Sequence, residues 1–312
     1  MIDIIIPCYN AHDTIHLPLS SIATQTYAHK ARVTLVNDAG NDYADVVKFY
    51  SQFIEVREIG YDVNGGPAVA RQYGIDNTNA PLIMFIDADD TLMDSLTLQK
   101  MFDKIESKHA VLVGGFIEQL TDGKFKTHPQ DWVWMFAKIY RRKWLEKKKV
   151  RFNKSRANED MGFNMQVRLQ TKPHEVCYYN DRFYVWRFKH DSITRKDEGN
   201  YKFYEGVLGV IDNKQEVIER FGIEQDNVRI EAVSSFIDFH FMVQQTEAER
   251  PERQDWVQEL FDRVKVYYNA IAKDAIAKTS TKDIVSLYKE RLSLYNLLPK
   301  VTLQEFIEMV EA

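Results

Sequence analysis

The sequence predicts an α/β fold built on a mostly parallel sheet, followed by a helical region. Through the first two hundred residues, short apolar runs alternate with amphipathic stretches, which is the pattern of β/α units. The runs are continuously apolar rather than alternating, as in strands that are covered on both faces. Later segments show helical spacing with almost no Gly or Pro inside them. We therefore expect an α/β domain over residues 1–199 and a helical C-terminal region over residues 200–312.

The elements follow from these runs in chain order. Pro7 is expected to end the first strand, and Pro18 to lie near the start or at a kink of the first helix. Gly66-Pro67 predicts a helix with proline at its first position. Strands are predicted at residues 2–6, 32–36, 53–57, 82–86 and 110–114. Helices of the C-terminal region are predicted at residues 207–221, 230–245, 256–278 and 283–298.

Composition limits the class of protein. A chain of 312 residues can bury a large core and exceeds the usual size of one domain. Its 45% hydrophobic and 28% charged residues are ordinary for a globular protein. It has no apolar run of membrane-spanning length, its first residues enter a predicted strand without a basic n-region or cleavage site, and its cysteines are Cys8 and Cys177. We expect a cytoplasmic protein without a transmembrane segment, with peripheral attachment to a membrane left open.

An acidic cluster, Asp87-Ala88-Asp89-Asp90, follows the apolar run at residues 82–86. Three carboxylates this close repel one another unless a cation or a polar ligand neutralises them. Oxygen ligands of this kind suit Mg²⁺ or Mn²⁺, which usually keep water and substrate phosphate as further ligands. By itself the cluster is equally well explained as an acidic loop or a helix cap.

Other polar motifs stand at the predicted strand ends, where parallel sheets bind ligands. Together they resemble the family 2 glycosyltransferases, which are nucleotide-sugar-dependent and have the GT-A fold. The resemblance covers roughly residues 1–195, with Ala39-Gly40 in place of a usual Gly-Ser and Gln72 in place of Asn. The matching segments are Pro7–Asn10, Ser21–Tyr27, Asn37–Asp42, Asn64–Gly74, Asn158–Asp160 and Tyr184–Arg195.

The resemblance implies a donor site for a nucleotide sugar, with UDP the expected nucleotide. Asp38 would accept the imide N–H of a uracil-like base, although the same residue could cap a turn. Arg71 could reach a phosphate, or form a salt bridge to the acidic loop. The expected donor-binding residues are Pro7, Tyr9, Asn10, Asp38, Asn64, Gly65, Arg71, Asp87, Arg187 and Ser192.

The resemblance also implies a metal ion, Mn²⁺ or Mg²⁺, on the donor diphosphate. Asp87 would approach the ribose and Asp89 would hold the metal. Asp90 would be a supporting acceptor or the cap of the next helix. His190 is a further candidate ligand, although a lone histidine is more often an ordinary loop residue. The expected metal ligands are therefore Asp89, Asp87 and His190.

Transfer with inversion requires a base to take the proton of the acceptor hydroxyl. The resemblance assigns this role to Asp160, with Glu159 either holding the loop or acting as the base itself. An acidic first turn of an ordinary helix would give the same two residues.

A basic block, Lys138–Arg156, precedes the expected base. It holds ten Lys or Arg against one Glu, in a chain of net charge −5. It could attract an anionic acceptor, such as a glycan phosphate, a lipid-linked sugar or DNA, or it could be a solvated helix face. Nearby aromatic residues could stack on a sugar or a base, or belong to the core: Trp132, Trp134 and Trp144.

Three functions remain open on this evidence. The first is an inverting transferase that decorates a surface glycan or its lipid-linked precursor. The second is transfer of a sugar to a modified base in DNA, and the third, of another class, is an inactive transferase-like module that binds nucleic acid or a partner. Nucleotidyltransferases and dinucleotide-dependent dehydrogenases are disfavoured, because no glycine-rich phosphate loop follows the first strand.

Overall fold

The computed structural model describes residues 1–153, 157–189, 206–295 and 297–312. The chain divides into two compact units, Met1–Lys196 and Asp197–Ala312. The domain boundary predicted at residues 199 and 200 falls in the stretch 190–205, outside the described residues, so it stays a prediction.

The first unit is built on a sheet of mixed direction. Among the described residues its strand order is β3-β2-β1-β4-β8-β6-β9-β5, and β7 pairs with β6. The long pairings of β1 with β2, β2 with β3 and β6 with β9 are parallel, whereas β8, β7 and β5 add short antiparallel ones. The strands are β1 (Ile2–Cys8), β2 (Ala31–Asp38), β3 (Glu55–Tyr61), β4 (Leu82–Phe85), β5 (Thr91–Leu92), β6 (Val111–Gln119), β7 (Phe125–His128), β8 (Lys138–Arg141) and β9 (Val176–Trp186).

The apolar runs of the sheet are continuous because both faces of the sheet are covered, as predicted. In β1, Ile4 and Ile6 belong to one hydrophobic core, and Ile5 belongs to the core on the other side of the sheet. Because alternate residues of a strand point to opposite faces, a strand covered on both sides must be apolar throughout. The predicted α/β fold with a mostly parallel sheet is confirmed.

The predicted end of the first strand was wrong, because β1 continues through Pro7 to Cys8. Pro7 pairs with Val36 of β2, but the pairing of β1 with β4 ends at Ile5. At Pro7 the strand has therefore lost one of its neighbours, and a residue without an N–H is tolerated there.

Helices connect and flank the strands of the first unit. As predicted, α3 has Pro67 at its first position, and Gly66 before it has a φ of 81°, which favours glycine. The helices are α1 (His16–Ala23), α2 (Ala44–Tyr50), α3 (Pro67–Asp76), α4 (Thr97–Lys104), α5 (Arg142–Lys148) and α6 (Glu159–Gln170).

In the second unit, residues 206–295 and 297–312 are described, and they are helical between short turns. The helix predicted at residues 256–278 is interrupted by a π-helical turn, Tyr268–Ala272, and a last helix at Leu303–Glu311 was not predicted. Within the described residues no helix combines the length and apolarity needed to cross a membrane. The helices are α7 (Gly209–Phe221), α8 (Asp226–Glu249), α9 (Gln254–Tyr267), α10 (Lys273–Ala277), α11 (Thr281–Tyr295) and α12 (Leu303–Glu311).

Candidate active site

The loops after β1 and β2 pack closely against each other. The Asn10 side-chain oxygen accepts the N–H of Asn41 at 3.2 Å, and Asn10 has a φ of 49°. A Cβ on Gly40 would lie 2.9 Å from the Asn10 nitrogen, so the close approach needs glycine. Asn10 thus ties the two loops together, while the Tyr9 side chain beside it is 56% exposed.

Asp38, at the end of β2, holds the loop that enters α3. Its carboxylate accepts the N–H of Gly65 at 2.7 Å and the N–H of Gly66 at 2.9 Å, and the residue is buried. The Asn64 side chain donates to the Asp38 carbonyl at 3.2 Å. The structure therefore brings together three predicted donor residues and gives Asp38 the turn-holding role. Its recognition of a base stays a prediction.

Asp90 anchors the acidic loop to β9. It is buried and accepts the Tyr184 hydroxyl and the Arg187 N–H, both at 2.7 Å. The Tyr184 hydroxyl in turn accepts the N–H of Asp87 at 3.0 Å. Burial, with the nearby charges of Asp87 and Asp89, raises the pKa of Asp90. Asp90 is thus the supporting acceptor; the alternative of a helix cap was wrong, because α4 begins only at Thr97.

Asp87 and Asp89 are the acidic residues of this loop that remain partly exposed, with side chains 30% and 35% accessible. Asp87 accepts a hydrogen bond from Arg71 at 2.7 Å, and the Lys189 ammonium lies 3.8 Å from Asp89. These are hard oxygen donors, which fit a divalent ion that takes its other ligands from water and a diphosphate. Within the part of the chain that the structure describes, no group of three or more acidic, His or Cys residues is arranged to hold a metal.

Arg71 lies between two carboxylates. Its guanidinium donates to Asp87 at 2.7 Å and to Glu159 at 2.5 Å, and the side chain is buried. Burial alone would lower the pKa of Arg71, but the charges of Asp87 and Glu159 raise it above the ordinary value. The expected salt bridge to the acidic loop is confirmed, and it extends to the segment that carries the expected base.

Glu159 and Asp160 form the first turn of α6, where carboxylates interact favourably with the helix dipole. Glu159 is buried against Arg71, whereas Asp160 accepts the N–H of Met161 at 2.7 Å. Burial first, and then the charge of Glu159, raise the pKa of Asp160 to about 7. A carboxylate of this basicity can accept a proton at neutral pH, which an ordinary aspartate does poorly.

Three predicted residues of the β9 segment have different outcomes. The backbone of Arg187 fixes Asp90, as described above, and its pairing with phosphate stays a prediction. Ser192 and His190 lie outside the described residues.

The basic block is only partly a surface, which corrects the prediction for two of its members. Lys138 is buried, and its ammonium donates to the carbonyls of Trp134 and Phe136 at 2.6 and 3.3 Å. Arg142 is buried too, paired with Asp3 at 3.1 Å and bonded to carbonyls and a hydroxyl of the α3–β4 connection. Both charges are used to hold the fold, since a buried cation must be hydrogen-bonded. The exposed members are Lys143, Lys147, Lys149 and Arg151, and residues 154–156 are not described.

The nearby tryptophans differ in their surroundings. Trp144 packs at a core and donates to Glu175 at 3.2 Å, and Trp132 donates to Tyr178 at 2.9 Å. Trp134 is partly exposed, and its ring lies 5.0 Å from that of Trp186. Its carbonyl accepts from Asn164 of α6 at 2.9 Å, so Trp134 is fixed to the helix that carries Asp160.

Sequence reasoning missed two residues of this site. Tyr184 belongs to one of the matching motifs, but the motif does not predict that its hydroxyl connects Asp87 and Asp90. Asn164 binds the Trp134 loop and accepts the Tyr140 hydroxyl at 2.6 Å. A tyrosine at a strand end opposite an acidic loop is a usable signal for the first. The sequence offers no comparable signal for Asn164, because its partners lie about thirty residues away in the chain.

Comparison with known proteins agrees with this geometry. Residues 3–163 match the family model described as glycosyl transferase family 2, which is more than half of the chain. Glycosyltransferase GlyA of Streptococcus pneumoniae is 24% identical over 222 residues, which cover 62% of this chain and 31% of GlyA. The poly(ribitol-phosphate) beta-N-acetylglucosaminyltransferase TarP of Staphylococcus aureus is 20% identical over 198 residues, which cover 56% of this chain and 59% of TarP.

A solved structure shows the same fold. Residues 1–349 of S. aureus TarS, in complex with UDP-GlcNAc, match with a TM-score of 0.71 at 17% identity, covering 95% of this chain and 88% of that one. At this identity the likeness establishes the fold, which is GT-A as predicted. With the family match, it answers the question that the strand-end motifs raised: the chain belongs to glycosyl transferase family 2.

Proposed function

We propose that this protein is an inverting glycosyltransferase that moves a sugar from a UDP-linked donor to a hydroxyl of a surface glycan or its lipid-linked precursor. One observation carries the proposal. At the carboxyl edge of the sheet, the acidic loop and the acidic first turn of α6 meet on one guanidinium, that of Arg71. A donor-holding carboxylate and the helical turn that carries the candidate base thus lie on two sides of the same side chain.

The donor end is supported by the loops after β1, β2 and β4. Their positions at adjacent parallel strand ends form the usual ligand site of such a sheet. UDP as the nucleotide is supported by the fold shared with TarS, whose structure contains UDP-GlcNAc. Asp87 and Asp89 would hold Mn²⁺ or Mg²⁺ on the donor diphosphate, where the ion would stabilise the charge of the leaving group.

The chemical step assigned to this chain's residues is a proton transfer. Asp160 accepts the proton of the acceptor hydroxyl while its oxygen forms a bond to the anomeric carbon, and the bond from that carbon to the diphosphate oxygen breaks on the opposite face. The electron pair leaves with the diphosphate. A pKa of about 7 leaves a substantial fraction of Asp160 ionised at neutral pH and makes it a far better proton acceptor than an unperturbed aspartate.

For the acceptor, an anionic glycan is supported by two facts. The exposed lysines of α5 and the following turn, Lys143, Lys147 and Lys149, give a positive surface. The related TarP is named for transfer to poly(ribitol-phosphate), which is a phosphate polymer. No observation favours DNA over such a glycan, because burial of Lys138 and Arg142 reduces the basic surface on which that alternative depended.

A donor screen tests the proposal. Release of UDP from a panel of UDP-sugars would be measured with Mn²⁺, with Mg²⁺ and with a chelator, and binding of UDP would be measured by calorimetry. We expect metal-dependent binding of UDP and slow UDP release with water as acceptor, accelerated by a phosphate-containing glycan. If no nucleoside diphosphate binds with either metal, the proposed function is wrong.

A further inference from the structure

The candidate site contains a buried cation whose position suggests a function other than ligand binding. Arg71 lies on α3, Asp87 follows β4 and Glu159 begins α6, so the three side chains come from three separate elements. The guanidinium contacts one carboxylate with each of its terminal nitrogens, at 2.7 Å and 2.5 Å. A rigid planar fork of this kind fixes the separation of the two groups that it binds.

The contacts leave Arg71 poorly placed to bind a phosphate directly. The residue is only 5% exposed, and both terminal nitrogens already donate to carboxylates. Its remaining nitrogen, Nε, is buried without a hydrogen-bond partner among the described residues. A diphosphate at the terminal nitrogens would compete with Asp87 and Glu159, and loss of either contact would leave a carboxylate without its cation.

The salt bridge with Arg71 also restricts the position of the Glu159 side chain. Its buried carboxylate accepts a charge-assisted hydrogen bond from the Arg71 guanidinium, which holds it against α3. Asp160, by contrast, has no cation within salt-bridge distance in the described part of the chain, and accepts only a backbone N–H in its own turn of helix. Asp160 is therefore the carboxylate of this turn that the guanidinium does not hold.

We propose that Arg71 is a positioning residue that sets the distance between the donor-holding Asp87 and the base Asp160, and that it acts on Asp160 through Glu159. This inference rests on the proposed function and deepens it. Without the guanidinium, the carboxylates of Asp87, Glu159 and Asp160 would repel one another, and the first turn of α6 would lose its tether to the acidic loop. The distance between the donor-holding carboxylate and the proton acceptor would then no longer be fixed.

The test compares Arg71→Met, Arg71→Lys, Glu159→Gln and the double variant Arg71→Met/Glu159→Gln. The probes are UDP with Mn²⁺ for binding, and the UDP-sugar that turns over in the donor screen for kcat and KM of UDP release. A displacement of about 1 Å in a catalytic group can lower a rate by about 10²-fold. We expect kcat to fall by about this factor in Arg71→Met, with UDP affinity changed less than about threefold.

Comparison of Arg71→Met with Glu159→Gln distinguishes a positioning role of Arg71 from a ligand-binding role. If Arg71 acts through Glu159, then Glu159→Gln also lowers kcat, and the double variant is no worse than Arg71→Met alone, because the second change removes an interaction that is already lost. Arg71→Lys keeps the charge without the fork, so it should recover part of kcat. A loss of UDP affinity of tenfold or more in Arg71→Met, with Glu159→Gln unaffected in both kcat and affinity, would show that Arg71 is a ligand-binding residue and overturn the proposal.

Folding is checked by thermal unfolding of each variant. If Arg71→Met fails to fold, Glu159→Gln decides the matter, because glutamine keeps the size and shape of the side chain but loses the charge that pairs with Arg71. An unchanged kcat in Glu159→Gln contradicts positioning through Glu159. Failure of the proposed function is distinguishable, because in that case the wild-type protein itself neither binds UDP nor releases it from a UDP-sugar.

Discussion

Each unit of this chain contains a cluster of ionisable side chains around an arginine, and the two clusters differ in charge balance. In the second unit, Arg291 binds Asp238 at 2.6 Å, and Lys214 contacts Asp238 at 3.0 Å and Glu231 at 3.9 Å. Arg291 also pairs with Glu290 at 2.8 Å, so each carboxylate of this helical cluster lies within salt-bridge distance of a cation. The charges of such a cluster compensate one another, and its contribution to the stability of the helices explains it.

Within the described residues, the cluster of the first unit is not balanced. Arg71 is shared by Asp87 of the acidic loop and Glu159, while Asp160, next to Glu159, has no cation within salt-bridge distance there. Among the described residues, Lys189 is the other cation near this loop, at 3.8 Å from Asp89. Keeping excess charge partly buried is costly, so a protein does so where a cation or a proton is to be bound. Among the described residues, a carboxylate without a paired cation, rather than the presence of charge, distinguishes the first cluster from the second.

The largest expected effect tests the proton acceptor. Asp160→Asn should lower the rate of UDP release by about 10² to 10⁴, the usual contribution of a general base, with UDP binding retained. The raised pKa of Asp160 means that its ionised form disfavours the folded state, so the variant should be no less stable at pH 8. The matched control is Asp238→Asn in the balanced cluster, which should keep its activity. Full activity in Asp160→Asn would reject the base assignment.

The next effect concerns the donor. Asp89→Ala should weaken Mn²⁺-dependent UDP binding by about 10²-fold, because loss of a metal-site group typically costs this much or more. Calorimetry with and without Mn²⁺ measures it. Asp94→Ala is the control, since Asp94 lies nearby but accepts the N–H of Leu96 before α4 and pairs with Lys100 at 3.0 Å. Equal loss in both variants would point to a disturbed loop instead of a lost ligand.

A third, graded effect is the dependence on pH. Asp160 must be ionised to accept a proton, and its pKa is raised to about 7. The rate of UDP release should therefore rise about tenfold per pH unit between pH 5 and 6.5 and level off above pH 8. Circular dichroism at each pH confirms that the protein stays folded. A flat profile over this range is the contrary outcome.

The smallest effect tests the balanced cluster. Arg291→Met removes charged hydrogen bonds to Asp238 and Ser234, and should lower the free energy of unfolding by about 1–3 kcal/mol. The rate per folded molecule should not change. Arg220→Met, which breaks a surface pair with Glu216, should cost only about 0.3–0.5 kcal/mol. Urea unfolding of both variants makes the comparison, and a rate loss in Arg291→Met would give the second cluster a role in function.

Much of the fold could be predicted because its signals are local. Each of these elements is predicted by residues within it, and the structure confirms them. They are the strands at the apolar runs 2–6 and 82–86, and the helix α3 that begins at a proline. The missed strands are β5, β7, β8 and β9. Of these, β7 pairs with its chain neighbour β6, whereas β5, β8 and β9 form antiparallel or distant pairings with strands already in the sheet. Such pairings depend on neighbours far away in the chain, which a pattern within one window does not contain.

The candidate site, too, has features that local sequence signals predict and features that they do not. Spacing after each strand indicated Asp38, Asp87 and Asp89, because parallel strands bring their carboxyl ends to one edge. The burial of Lys138 and Arg142 could not be read from a basic run, since a long side chain can point into or out of the protein.

By itself, the sequence determined which residues stand at the strand ends, and so the chemistry available at the sheet edge. Only the tertiary structure decided how those residues are paired. Arg71 and Glu159 are 88 positions apart, and no local pattern reveals that one guanidinium separates the acidic loop from the first turn of α6. Identity and order along the chain are properties of the sequence, whereas distance and burial, which set charge balance and pKa, exist only after folding.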